Sequence, residues 1–187
     1  MRLFVALEIP RPVRDNLATL IRDLRMAAPK ARWVRPENIH VTLKFIGEAA
    51  PDKVGYIRDA LSGVHSDRAT ELNFRGLGFF PNAKRPSVLW AGIDASSNLQ
   101  SLAGDIECSL EKIGFPREQR PFVAHLTIAR FQPPRIHQEL HSAIAQSSGR
   151  EFGSLRTDEF HLIESKLKPS GAEYTTLESF RFARAEA

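Results

Sequence analysis

PFVAHLTIAR, residues 121–130, repeats the pattern of IHVTLKF, residues 39–45: a histidine, one apolar residue and a threonine, with apolar residues around them. Alternation of this kind predicts a β-strand, in which residues i and i+2 share a face. His40 and Thr42 therefore point together, and so do His125 and Thr127. By the same alternation Lys44 shares the His40 face. Arg130, five residues after His125, belongs on the opposite face unless the strand twists or ends first. One chain thus carries two strands that each present an imidazole beside a hydroxyl.

Outward from these strands, helix and strand patterns alternate. Residues 3–9 predict a strand, and Val13, Leu17, Leu20, Ile21 and Leu24 recur at the spacing of one helix face. A turn at 36–38 leads into the strand 39–46. Pro51 opens a helix carrying Val54, Ile57 and Leu61, and 71–80 and 87–93 predict strands around a proline-bounded turn at 81–86. In the second half a helix over 97–113 places Leu99, Leu102, Ile106 and Leu110 on one face, with Gly114 at its C-terminal end. The strand 122–131, a helix over 136–145 and strands at 160–165 and 173–182 follow. The last two are joined by KPSGAE, whose Pro169 and Gly171 suit a turn. No linker separates independent domains. The pattern implies two similar halves facing each other, with one His-x-Thr strand in each.

Composition narrows the function classes. A chain of 187 residues, 42% hydrophobic and 26% charged, is ordinary globular protein rather than a disordered one. Its single cysteine, Cys108, makes no internal disulfide, and the apolar run 3–7 is too short for a secretory or membrane segment. A cytoplasmic location is expected. The formal charge of +4 is spread along the chain without a polybasic block, a mild preference for an anionic ligand.

Two imidazoles and two hydroxyls around one small volume have a definite chemistry. An imidazole near neutrality takes or gives a proton, and a threonine hydroxyl donates to an anionic oxygen. Together they could hydrolyse a phosphodiester without metal. A lone strand histidine is ordinarily structural, but a pair in matching positions of two similar halves argues for a site. Metal binding is the weaker reading, because there is no His-x-His, HExxH or cysteine cluster. His137 and His141 stand at i and i+4, where a solvated polar face is the plainer reading, and His65 and His161 have no supporting context. The aromatic residues Trp33, Phe45, Phe79, Phe80 and Tyr174 include candidates for base stacking, although most belong in a core.

RWVRPENIHVTLKFIGE (32–48) and PFVAHLTIAR (121–130) resemble the two signature segments of the 2H phosphoesterase superfamily, in its RNA 2′,3′-cyclic phosphodiesterase branch, also called 2′-5′ RNA ligase. RPSVLWAGI (85–93) is similar to that branch's middle strand, and LIESKLKPSGAEYTTLESF (162–180) to its closing hairpin. The resemblance implies an α+β, bilobal, pseudo-symmetric fold with two antiparallel sheets lining a central cleft and helices outside. It implies a single domain over 1–187 with lobes of about 1–94 and 95–187 and strand exchange possible between them. It further implies a cofactor-free, metal-independent hydrolase, expected to be a monomer, that opens 2′,3′-cyclic phosphate ends of RNA or oligonucleotides to 2′-phosphates. His40 matches the proton donor, His125 the proton acceptor, Thr42 and Thr127 the phosphate-holding threonines, and Arg130 an arginine that binds substrate. Ala124 departs from the proline usual before the second histidine. The rival expectations are an RNA-end binding or 2′-5′ ligase-type protein, and a sibling enzyme acting on cyclic nucleotides or 2′-5′ oligonucleotides.

Overall fold

The computed structural model describes residues 1–132, 138–169 and 171–183. In chain order its elements are β1 (Arg2–Glu8), α1 (Arg11–Ala27), β2 (Arg32–Trp33), β3 (His40–Glu48), α2 (Val54–Ser62), β4 (Thr70–Phe80), β5 (Val88–Ala95), α3 (Asn98–Glu111), β6 (His125–Arg130), α4 (Gln138–Gln146), β7 (Glu151–Thr157), β8 (Glu159–Lys168) and β9 (Gly171–Arg181). The strands form two antiparallel sheets, ordered β3-β1-β8-β9 and β2-β6-β5-β4-β7, and the class is α+β as expected. Each sheet draws strands from both halves of the chain.

The helices bury the faces that their periodicity announced. In α1, Val13, Leu17, Leu20, Ile21 and Leu24 are buried, and Pro10 and Pro12 sit at its start, where a missing N–H costs nothing. In α3 the buried face is Leu99, Leu102, Ala103, Ile106 and Leu110, and Gly114 follows with φ of +95°. One large apolar core joins these helix faces to one face of each sheet. A second, small cluster of Phe4, Ala6 and Ile163, with Tyr174 against it, lies on the other face of the first sheet.

Several boundaries differ from the expectation. The strand expected from 122 begins at His125, because the Val123 carbonyl is taken by the His125 side chain rather than by a neighbouring strand. β7 was not anticipated: its sequence EFGSLRT has Phe152 as its one fully buried side chain, and Gly153 interrupts any alternation with φ of +118°. Residues 136 and 137 of the expected fourth helix, His137 among them, lie outside the described residues, as does Ser170 of the final turn.

The larger correction concerns which way side chains point. Along β3, Thr42 pairs with Ala6 and Lys44 with Val5, so Leu43 is an extra residue in the ladder, a β-bulge. Along β6, Thr127 pairs with Trp90 and Ala129 with Leu89, so Ile128 is the extra residue there. The two strands have the same burial sequence over their first six residues, with two successive buried side chains after each threonine. The bulge shifts the alternation by one. Lys44 therefore does not share the His40 face: it is 5% exposed, and its Nζ donates to Glu107 Oε2 at 2.6 Å and to the Pro116 carbonyl at 2.6 Å. Phe45 takes the cleft face in its place, beside Phe4 at 6.1 Å between ring centroids. By the same shift Arg130, paired with Val88, returns to the face of His125 and Thr127.

Candidate active site

The two His-x-Thr strands meet where the sheets meet. β3 is the edge strand of the first sheet, β6 lies next to the edge of the second, and the two are in contact. The chain from β2 to β3 crosses between the sheets. It is fastened by the Val34 N–H, which donates to the carbonyl of the bulge residue Ile128 at 2.9 Å, and by Asn38 Nδ2, which donates to the Ala172 carbonyl of β9 at 2.7 Å.

Each imidazole is held from one side. His125 Nδ1 lies 2.7 Å from the Val123 carbonyl, which can only accept, so Nδ1 carries the proton and Nε2 is left for chemistry. The ring also meets Phe80 edge to face, with centroids 5.0 Å apart. His40 has the corresponding neighbour two residues back, the Asn38 backbone. That group favours the charged imidazole without reaching hydrogen-bond geometry, so Nδ1 is buried with no bonded partner. Burial lowers the His40 pKa below its ordinary 6.5. The Asn38 backbone and Glu8 act against this, while Arg14 and His161 add to it. Tyr174 and Phe4 pack on the His40 ring, at 5.6 and 6.2 Å between centroids.

The floor beside Thr127 is aromatic and needs glycine beneath it. Trp90, the cross-strand partner of Thr127, lies over Gly78, where a Cβ would come within 2.1 Å of the indole. Gly92, the partner of His125, has no room for a Cβ either, since one would sit 2.6 Å from the Arg75 carbonyl. On the His40 side a cavity of about 530 Å³ opens between Glu8, Arg14, Arg35, Asn38 and Tyr174. Thr42, His125 and Thr127 do not border it, so it is an annex to the junction rather than its centre.

The remaining sequence candidates sort themselves by position. Of the aromatic residues, Trp33 and Phe79 pack against the core, Phe80 and Tyr174 flank the two histidines, and Phe45 is 63% exposed. His161, given no role from sequence, is buried. It is paired with Ala6 on the cleft face of the first sheet and bonded through Nδ1 to Ser179 Oγ at 2.9 Å. Strand alternation alone could not have shown that face to be shared with Thr42. Trp90 was also missed, because nothing in its own sequence neighbourhood marks the glycine opposite it. His65 is exposed, and His141 packs its ring near Phe79 at 6.0 Å. Among the described residues no group of three or more His, Cys, Asp or Glu side chains is placed to hold a metal ion. No helix among them is long and apolar enough to cross a membrane.

The chain is similar along almost its whole length to proteins named RNA 2′,3′-cyclic phosphodiesterase. That of Methanothermobacter thermautotrophicus is 34% identical over 97% of this chain and 98% of its own. That of Archaeoglobus fulgidus is 35% identical over 96% of this chain and 99% of its own. Among solved structures, a protein of Thermus thermophilus superposes with a TM-score of 0.78 at 28% identity, covering 97% of this chain and 98% of that one. The family model described as LigT-like phosphoesterase matches residues 7–90 and 93–174, which take in both His-x-Thr strands, and the chain therefore belongs to the LigT-like phosphoesterase family.

Proposed function

We propose that the protein hydrolyses 2′,3′-cyclic phosphate ends of RNA to 2′-phosphate ends by acid–base catalysis with its two histidines and no metal. The observation that carries this reading is the matched pair of bulged strands. Each presents an imidazole and a hydroxyl from the same three positions, at one junction of the two sheets. The names of the archaeal relatives support the same substrate.

In the proposed reaction His125 Nε2 takes a proton from water as its oxygen bonds to phosphorus. The tautomer fixed by the Val123 carbonyl leaves that nitrogen free to accept. The P–O3′ bond breaks, and His40 gives its proton to the departing O3′. The products are a 3′-hydroxyl and a 2′-phosphate monoester, with His125 protonated and His40 neutral until solvent resets them. Thr42 and Thr127 donate to the phosphoryl oxygens, whose charge grows toward the transition state. Both histidines come from one chain, so the reading requires no second copy, and it requires no cofactor.

The test is incubation with an RNA bearing a 2′,3′-cyclic phosphate end, in EDTA, with the position of the product phosphate identified. A 2′-phosphate is expected. His40→Ala and His125→Ala should each lower turnover by at least about 100-fold, the usual contribution of general acid–base catalysis. A 3′-phosphate product, or activity lost in chelator and restored by a divalent ion, would overturn the reading.

A further inference from the structure

β2 is two residues long, yet it sets Arg32 directly opposite Arg130 and Trp33 directly opposite Ala129. Cross-strand partners share a face. Ala129 is buried and Trp33 packs against the main core, so Arg32 and Arg130 project from the other face, the one that carries His125 and Thr127. Both arginines are exposed, and among the described residues neither guanidinium has an ion-pair or hydrogen-bond partner. Like charges directly opposite in a sheet repel and weaken the pairing. Here the repulsion falls on the shortest strand of the molecule, which has the fewest ladder bonds to offset it. An anion between the two guanidiniums would turn that repulsion into a fork on each side of one charge.

The position of the pair identifies the anion. Thr127 and Arg130 are partnered by Trp90 and Val88, two residues apart on β5, or about 7 Å along the strand. That is about the reach of one nucleotide. In an RNA whose terminal cyclic phosphate sits at Thr127, every other phosphate lies on the 5′ side, and the nearest is the diester joining the terminal nucleotide to the body. We propose that Arg32 and Arg130 clamp this diester, so that the site distinguishes an RNA end from a free nucleoside 2′,3′-cyclic phosphate, which has no such group. The clamp rests on the proposed reaction, with the reacting phosphate held at Thr127.

Arg32→Gln keeps a polar, though shorter, side chain and removes its charge. Its kcat/KM is compared with that of the parent on a cyclic-phosphate-ended dinucleotide and on the matching nucleoside 2′,3′-cyclic phosphate. The dinucleotide-to-mononucleotide ratio is expected to fall about tenfold, the loss of one charge-assisted contact. Equilibrium binding of an oligoribonucleotide ending in a 3′-phosphate should weaken, and its dependence on log salt should lose about one unit of slope, one phosphate contact fewer. Arg32→Lys should retain the slope. The melting temperature of Arg32→Gln without ligand should not fall, because a repulsion has been removed. An unchanged ratio, or an unchanged salt slope, overturns the clamp. If the parent turns over neither substrate, the proposed reaction fails and the binding arm alone decides. The clamp then stands if the variant loses oligonucleotide affinity with a shallower slope, and falls if it does not.

Discussion

Burial is the largest influence on His40, and it favours the neutral ring. The proton donor proposed for His40 has to start charged, so the proposed role and the burial pull in opposite directions in the free protein. A phosphate bound as proposed would resolve the conflict, since a negative charge beside the imidazole raises its pKa again. The sign of the effect can be followed in a pH profile. kcat/KM reports the free protein, where His40 gives up its proton as pH rises through a value below 6.5, so this alkaline limb should lie low. kcat reports the complex, where the same limb should move to higher pH, the limbs belonging in each case to the interacting histidine pair. Alkaline limbs that coincide, both above 6.5, would remove His40 as the donor. At this scale the sequence was informative about identity and silent about surroundings. The two histidines and two threonines stood out by spacing. The burial around His40 depends on Tyr174 and Phe4, which are distant in the chain, and on an Asn38 backbone that no pattern of side chains announces.

Among elements, the strands repeat one another more closely than their letters do. Both carry the bulge immediately after the threonine, and the bulge decides that Phe45 and Arg130, rather than Lys44 and Ala129, follow the histidine and threonine on the cleft face. Alternation in sequence assumes an unbroken ladder, so it assigned Lys44 to the wrong side and put Arg130 on the far face unless the strand changed course. Nothing in IHVTLKF or AHLTIAR marks the extra residue, because Leu43 and Ile128 are as apolar as a regular strand would have them. Helices were more legible, since a face of Val13, Leu17, Leu20 and Leu24 needs only its own spacing to be recognised. The β4–β5 pairing offers a check on how tightly the floor is built. In Gly78→Ala the new Cβ would lie 2.1 Å from the Trp90 indole, and the ring has to move. Overpacking of this kind should cost about 1–3 kcal/mol, measurable as a lower denaturant midpoint at unchanged m-value.

For the whole molecule, the Lys44–Glu107 pair joins parts that the chain order keeps apart. Lys44 lies in the strand of His40, Glu107 in α3, and the Pro116 carbonyl that Lys44 also meets belongs to the segment leading to His125. The Glu118 N–H adds a bond to the same carboxylate at 3.3 Å. Lys44→Met should destabilise the protein by about 3 kcal/mol, because it leaves a largely buried carboxylate without its cation. The double variant Lys44→Met/Glu107→Leu should recover much of that loss, and additive losses in denaturant titrations would show that the pair does not act as a unit. The same long-range wiring holds in the first sheet, where β1, among the first residues of the chain, lies between β3 and β8, and where Asn38 is tied to Ala172. A ribosome delivers the chain from its N-terminus, at about 5–20 residues per second. Both signature strands have been synthesised by residue 130, but β1 still lacks one neighbour and His40 lacks Tyr174 until the hairpin of β8 and β9 has left the exit tunnel. A nascent chain stalled before that point would display both motifs with the His40 side of the junction still unbuilt, and the proposed opening of a cyclic phosphate is not expected of it.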